Sequence, residues 1–274
     1  VLTSVHAFAN DPERGAYLLV ITGVFLGGAL LLFTVRAASL EAKGVFGMVS
    51  RESALILNNI LLAVSCLVVF VGTIWPLVAE IFFDRSLSVG PPFFDKAFTP
   101  FMVALAVVLP LGSMLPWKRG KLARLSQDLL PVLGLAIAVA LLTYAMQTGR
   151  SALGPIGMAL GVWLVSGAGF EIWMRCRGDL ARLTRLPRAD WGKAVAHAGL
   201  GVTFIGVACL TAWQVEDIRV ANLDERFEVG RYGVVLHGVQ ETRGPNYFSS
   251  MANVSSFRGD SLVARLNPEK RFYP

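Results

Sequence analysis

The sequence predicts an all-α polytopic membrane bundle of about six transmembrane helices, followed by a small β domain. Three observations predict it. Of 274 residues, 54% are apolar and only 16% charged, with a mean hydropathy of +0.58, whereas an average soluble domain carries about 25% charged residues. Six apolar runs are long enough for the roughly 20 residues of helix that a bilayer crossing needs. The residues after 213 change character, with mixed charges and alternating apolar positions. Together these exclude a disordered chain, a secreted disulfide module and an ordinary soluble enzyme.

The apolar runs lie near 15–35, 54–77, 97–115, 130–147, 152–174 and 194–213. Pro131 and Pro155 fall near helix starts, where a missing N–H costs little. Pro110 falls inside the third run, a position expected to kink it. Gly23-x-x-x-Gly27 and Gly157-x-x-x-Gly161 permit close helix approach. The expected organisation is a short outer segment over 1–14, a transmembrane region over 15–213 and a small β domain on the outer face over 214–274.

Loop charges orient the bundle. The loops after the first, third and fifth runs hold thirteen Lys and Arg, and the opposite short segments hold Arg14, Arg85, Lys96 and Arg150. The positive-inside rule then puts both ends of the chain outside. The net charge of +6 is thus a topology signal, and no aromatic-interleaved basic patch argues for nucleic acid.

In the tail, Tyr232-Gly-Val-Val-Leu-His-Gly-Val239 alternates as a strand. Met251-Ala-Asn-Val-Ser-Ser-Phe257 and Leu262-Val-Ala-Arg-Leu266 read as strands joined by a turn at Gly259-Asp260. That turn accounts for the adhesion-like tripeptide Arg258-Gly-Asp260, and Asn253-Val-Ser255 is a chance match to a glycosylation acceptor. The first residue, Val1, and the end of the tail at Pro274 are expected to be those of a fragment. Cys66, Cys176 and Cys209 are too scattered for a disulfide framework and read as small buried hydrophobes.

Little of the sequence carries chemistry. There is no Gly-x-Ser-x-Gly, phosphate loop or zinc spacing, and no carboxylate pair lies deep in the membrane. The three histidines are His6, before the first run, His197, inside the sixth, and His237, in a tail strand. An ionisable residue within a membrane helix is a functional hypothesis by default. Neutral imidazole in a dry bundle suits haem iron, and Ala196, Ala198, Gly199 and Gly201 leave room for a flat macrocycle. The competing reading of His197 is a helix-end histidine bonded to a carbonyl or interfacial water. For His6 and His237 position alone favours a structural role. Glu171 and Arg175 stand at i, i+4, the order of a structural ion pair. Asn58-Asn59 read as packing amides, and the 88–94 loop as a stiff connector or a docking surface.

Seven stretches together carry a resemblance. They are Leu2-Thr-Ser-Val-His-Ala-Phe8, Ser50-Arg-Glu-Ser53, Leu57-Asn-Asn-Ile-Leu-Leu62, Gly72-Thr-Ile-Trp-Pro76, Ser88-Val-Gly-Pro-Pro-Phe-Phe94, His197-Ala-Gly-Leu-Gly201 and Pro268-Glu-Lys-Arg-Phe-Tyr-Pro274. In this order they resemble the CcmF family, haem lyase subunits of cytochrome c maturation, including nitrite-reductase-linked relatives. The resemblance implies a multi-pass bacterial inner-membrane protein with periplasmic ends. It implies a haem lyase acting within a complex, which joins haem to apocytochrome c by thioether bonds. It implies that His6 is the catalytic periplasmic ligand to the iron of haem in transit. It implies that His197 is one of two intramembrane ligands to a resident haem b that relays electrons, each second axial ligand lying upstream. The implied partners are a haem chaperone, apocytochrome c, an apocytochrome-binding or thioredoxin-like subunit and membrane lipid, with no nucleic acid. A non-catalytic scaffold of the same complex and a polytopic transporter are the alternatives.

Overall fold

The computed structural model describes residues 12–40, 45–85, 87, 89–148 and 151–273. Among the described residues, eight α-helices precede five β-strands. The helices are α1 (Pro12–Arg36), α2 (Arg51–Phe83), α3 (Pro91–Ala97), α4 (Thr99–Met114), α5 (Leu122–Asp128), α6 (Leu130–Met146), α7 (Leu153–Arg175) and α8 (Arg188–Trp213).

The predicted apolar runs are all helical, but they differ in length. Four helices, α1, α2, α7 and α8, are long and apolar enough to cross a membrane alone. Helices α5 and α6 form a fifth span only if taken together across a 54° bend. The third run holds α4, which has 16 residues and so rises about 24 Å, against the roughly 30 Å of a hydrocarbon core. The polytopic helical bundle expected from the sequence is present, with four or five helices among the described residues long and apolar enough to span.

Helix α2 starts at an N-cap, Ser50, whose hydroxyl accepts from the Ser53 amide at 3.2 Å. It runs through Pro76 to Phe83, beyond the run read from the sequence, and stops at Asp84 in the left-handed region (φ 50°). The stiff 88–94 segment contributes α3, which begins at the Pro91-Pro92 pair. The rings of Phe93 and Phe94 meet edge to face, 5.2 Å apart, against Gly72, where a Cβ would come within 2.6 Å of Phe93.

Small residues set the helix pairings. A Cβ on Gly112 of α4 would meet Ala54 of α2 at 2.9 Å, and one on Gly167 of α7 would meet Pro110 of α4 at 2.9 Å. Helix α4 is continuous through Pro110, which is buried as this contact rather than marking a break. Gly161 of α7 and Gly201 of α8 face each other, each lying where the other's carbonyl oxygen leaves no room for a side chain. Of the two predicted glycine pairs, Gly157/Gly161 packs in this way, while Gly23 and Gly27 have nothing within 4 Å among the described residues. Trp163 donates its indole N–H to the Val107 carbonyl (3.2 Å) and adds a polar tie between α7 and α4.

Contacts divide the chain into two compact units, Val1–Ala145 with Ala152–Ala208, and Met146–Ser151 with Cys209–Pro274. The second holds one antiparallel sheet of β1 (Arg226–Val229), β2 (Tyr232–Arg243), β3 (Phe248–Arg258), β4 (Ser261–Leu266) and β5 (Glu269–Phe272). Strand β3 is central: β2 runs along one edge, and β4 and β5 share the other end to end. The predicted hairpin is present, with Gly259 at φ 58° between β3 and β4. Among the cysteines, Cys176 is buried and Cys209 half-buried, but Cys66 is exposed on α2, which corrects its reading as a buried hydrophobe.

Candidate functional site

The helical unit contains a cavity of about 430 Å³. Its lining follows helical periodicity. Helix α2 contributes Arg51, Ala54, Leu55 and Asn58, and α4 contributes Leu105, Val108, Leu109, Gly112 and Ser113. Helix α8 contributes Ala189, Lys193 and His197, two successive steps of one turn on one face. Arg175 of α7 and Asp190 of α8 complete it. The walls are leucine and valine, and the charged side chains come from the helix ends.

An ion network occupies that charged end. Glu171, 3% exposed, accepts from Nε and Nη2 of Arg175 at 3.1 Å and from Nζ of Lys193. Arg175 also reaches Asp190 through Nη1 at 3.1 Å. The i, i+4 pair read from the sequence is therefore present, but as part of a four-residue knot fastening α7 to α8. The second Glu171 oxygen, Oε2, is buried without a hydrogen-bond partner among the described residues. Arg51 is held differently. It donates to the Ser113 carbonyl and lies 5.3 Å from the Trp117 ring. Arg51, Arg175 and Lys193 against Glu171 and Asp190 leave one positive charge in excess around the cavity.

His197 is half-buried and lines this cavity one turn beyond Lys193. His6 lies outside the described residues. His237 is elsewhere, at the β2 bulge between Leu236 and Gly238. Its Nδ1 meets Asp224 at 2.8 Å and its Nε2 meets Ser255 at 2.9 Å. The order Asp-His-Ser imitates a hydrolase triad, but Ser255 is a mid-strand residue only 6% exposed. The arrangement instead pins the loop before β1 to the sheet, with the Asp224 amide also donating to the Leu236 carbonyl at 2.8 Å. Among the described residues no group of three or more His, Cys, Asp or Glu is placed to hold a metal ion.

Sequence reasoning singled out His197 but missed its company. Asn58, read as a packing amide, lines the cavity and donates to Asn59 (3.3 Å). Arg51 and Lys193 were read only as loop charges, and Asp190 was not singled out. The available signal was the shared helix face of Arg51, Leu55 and Asn58 in α2 and of Ala189, Lys193 and His197 in α8.

Comparison with known proteins supplies context. Residues 212–274 match the family model of the CcmF C-terminal beta-sandwich. The chain is 57% identical over 274 residues to the cytochrome c-type biogenesis protein ccl1 of Rhodobacter capsulatus, covering all of this chain and 42% of that protein. It is 41% identical over 280 residues to the cytochrome c-type biogenesis protein CycK of Bradyrhizobium diazoefficiens, and 34% identical over 276 residues to CcmF of Escherichia coli. In both cases it covers all of this chain and 42% of the relative. A solved structure described as cytochrome c heme lyase CcmF superposes with a TM-score of 0.55 at 24% identity, over 83% of this chain and 36% of that one, and supports the fold. The chain spans about two-fifths of the length of the relatives it matches.

Proposed function

The chain is similar from end to end to part of the CcmF family of cytochrome c-type biogenesis proteins, and on that premise we propose that it is the haem-holding portion of a membrane haem lyase. The observation that carries this reading is His197, a single imidazole on the wall of a helical cavity lined by leucine and valine together with Arg51, Arg175 and Lys193. The donor set fits haem b: one nitrogen ligand for iron, leucine and valine walls for the macrocycle, and a net positive end for its two carboxylates. Haem bound there would supply one-electron transfer toward the haem being attached.

The residues of this chain hold and orient. His197 would hold such a haem through a ring nitrogen on its iron. The apolar walls exclude water and set a low dielectric around the iron. Attachment itself adds a cysteine S–H of apocytochrome c across each haem vinyl group, forming a C–S and a C–H bond. His6 is the proposed axial ligand that presents that haem at the outer face. The proposed setting is a bacterial inner membrane with both ends of this chain periplasmic, in agreement with the Lys and Arg of alternate loops. The partners are a haem chaperone, apocytochrome c and a thioredoxin-like or apocytochrome-binding subunit.

The test is a reduced-minus-oxidised absorption spectrum with pyridine haemochrome analysis, on the full-length protein and its His197→Ala variant. A low-spin b-type signal that disappears in the variant is expected. A folded wild-type protein without haem would overturn the reading.

A further inference from the structure

We infer that Arg51 is a carboxylate anchor of the His197 cavity, gripping a propionate of the haem proposed there. The inference rests on the haem reading of His197 and extends it to a second residue, on a different helix.

The argument turns on which cation is available. Lys193 and Arg175 line the cavity but are already committed to Glu171 and Asp190. Arg51 has only neutral partners, the Ser113 carbonyl and the Trp117 ring. No carboxylate among the described residues pairs with it. Its neighbour Glu52 spends both oxygens on the Lys118 amide (2.9 and 3.1 Å). A guanidinium has five N–H donors in a planar fork suited to a carboxylate, and the bond to Ser113 leaves most of them unused. The carbonyl and the indole fix the group without neutralising it. The excess positive charge of the cavity therefore resides on Arg51, across from α8. Arg51 and His197 line the same cavity, and Leu55, Leu105, Val108 and Leu109 line it with them, beside the amide of Asn58. A ligand spanning that space must coordinate an imidazole, present flat apolar faces and end in an anion.

The experiment uses the full-length protein purified with its haem, the variants Arg51→Gln and Arg51→Lys, and reconstitution with haem b or its dimethyl ester. Release of haem to excess apomyoglobin is timed, and the absorption spectrum reports ligation by His197. Arg51→Gln should keep the low-spin spectrum yet release haem b about ten- to a hundredfold faster, the worth of one charge-assisted bond. Arg51→Lys should lie between. With the dimethyl ester, wild type and Arg51→Gln should release at the same rate, because the carboxylate is gone; a purely structural role for Arg51 would leave the difference intact. Equal release of haem b from wild type and Arg51→Gln overturns the inference while leaving the haem reading standing. If Arg51→Gln fails to fold, wild type alone decides, since equal release of haem b and its ester overturns the anchor. A wild-type protein free of b-type haem overturns both.

Discussion

Replacing Gly201 by alanine tests whether the α7–α8 contact positions the His197 cavity. A Cβ there would sit 2.7 Å from Val165 Cγ2, 2.8 Å from the Gly161 carbonyl oxygen and 2.9 Å from Leu164 Cβ. Two of these atoms belong to the side chains of a packed helix and the third is backbone. A carbon normally approaches a carbonyl oxygen no closer than about 3.3 Å, so α8 must retreat from α7 by roughly half an ångström. Overpacking of this kind costs roughly 1–3 kcal/mol. Gly199, two residues earlier, is the internal control, since nothing lies within 4 Å of its Cβ position among the described residues. Gly199→Ala should be neutral or stabilise by up to about 1 kcal/mol through helix propensity. The assay is thermal unfolding of the full-length protein in detergent, with haem content measured in parallel. Gly201→Ala should lower both the transition temperature and haem occupancy. If Gly201→Ala and Gly199→Ala behave alike, the close contact does not hold the helices and the reasoning fails.

Other consequences can be measured separately. Lys193→Met removes a partner of the buried Glu171 carboxylate and should cost roughly 1–3 kcal/mol, part of which Glu171→Gln restores in the double variant. A double-mutant cycle by thermal unfolding with strictly additive effects would refute the pairing. In the β unit, hydrogen bonds from the Arg271 guanidinium hold the Glu269 carboxyl below the ordinary glutamate range. A lowered carboxyl pKa contributes stability that is fully present above that range and is lost as pH falls through the lowered value. The contribution of this pair to the β unit should therefore persist through the pH at which free glutamate titrates and weaken only below it. A carbon-13 carboxyl titration of the chain placing Glu269 at or above the ordinary value would contradict this.

Element identity was legible because it depends on local composition. Apolar runs gave the helices, and alternation about the Gly259-Asp260 turn gave the hairpin. Helix ends were less so. The second apolar run was read as ending near Leu77, yet α2 continues to Phe83, with Leu77 and Ala79 buried. The third apolar run, 97–115, is shared between the end of α3 and the 16-residue α4, a division that hydropathy does not record. The site was legible only at His197, whose placement in an apolar run is conspicuous on its own. Arg51 is 146 positions away in sequence. What unites the two is the ordering of α2, α4, α7 and α8 through Ala54–Gly112, Pro110–Gly167 and Gly161–Gly201, tertiary contacts that no local pattern encodes. The triad-like set at His237 was equally hidden, since the bulge that aims it arises from strand register.

The ion knot and the glycine contact have a joint mechanical consequence for His197. Lys193 and Gly201 lie four residues to either side of it, so α8 is bolted to α7 one turn before and one turn after the imidazole. A beam clamped at both ends of so short a bay can neither bow nor rotate within it. The imidazole is a fixed datum, and any widening of the cavity to admit or release a ligand has to be borne by α2 and α4.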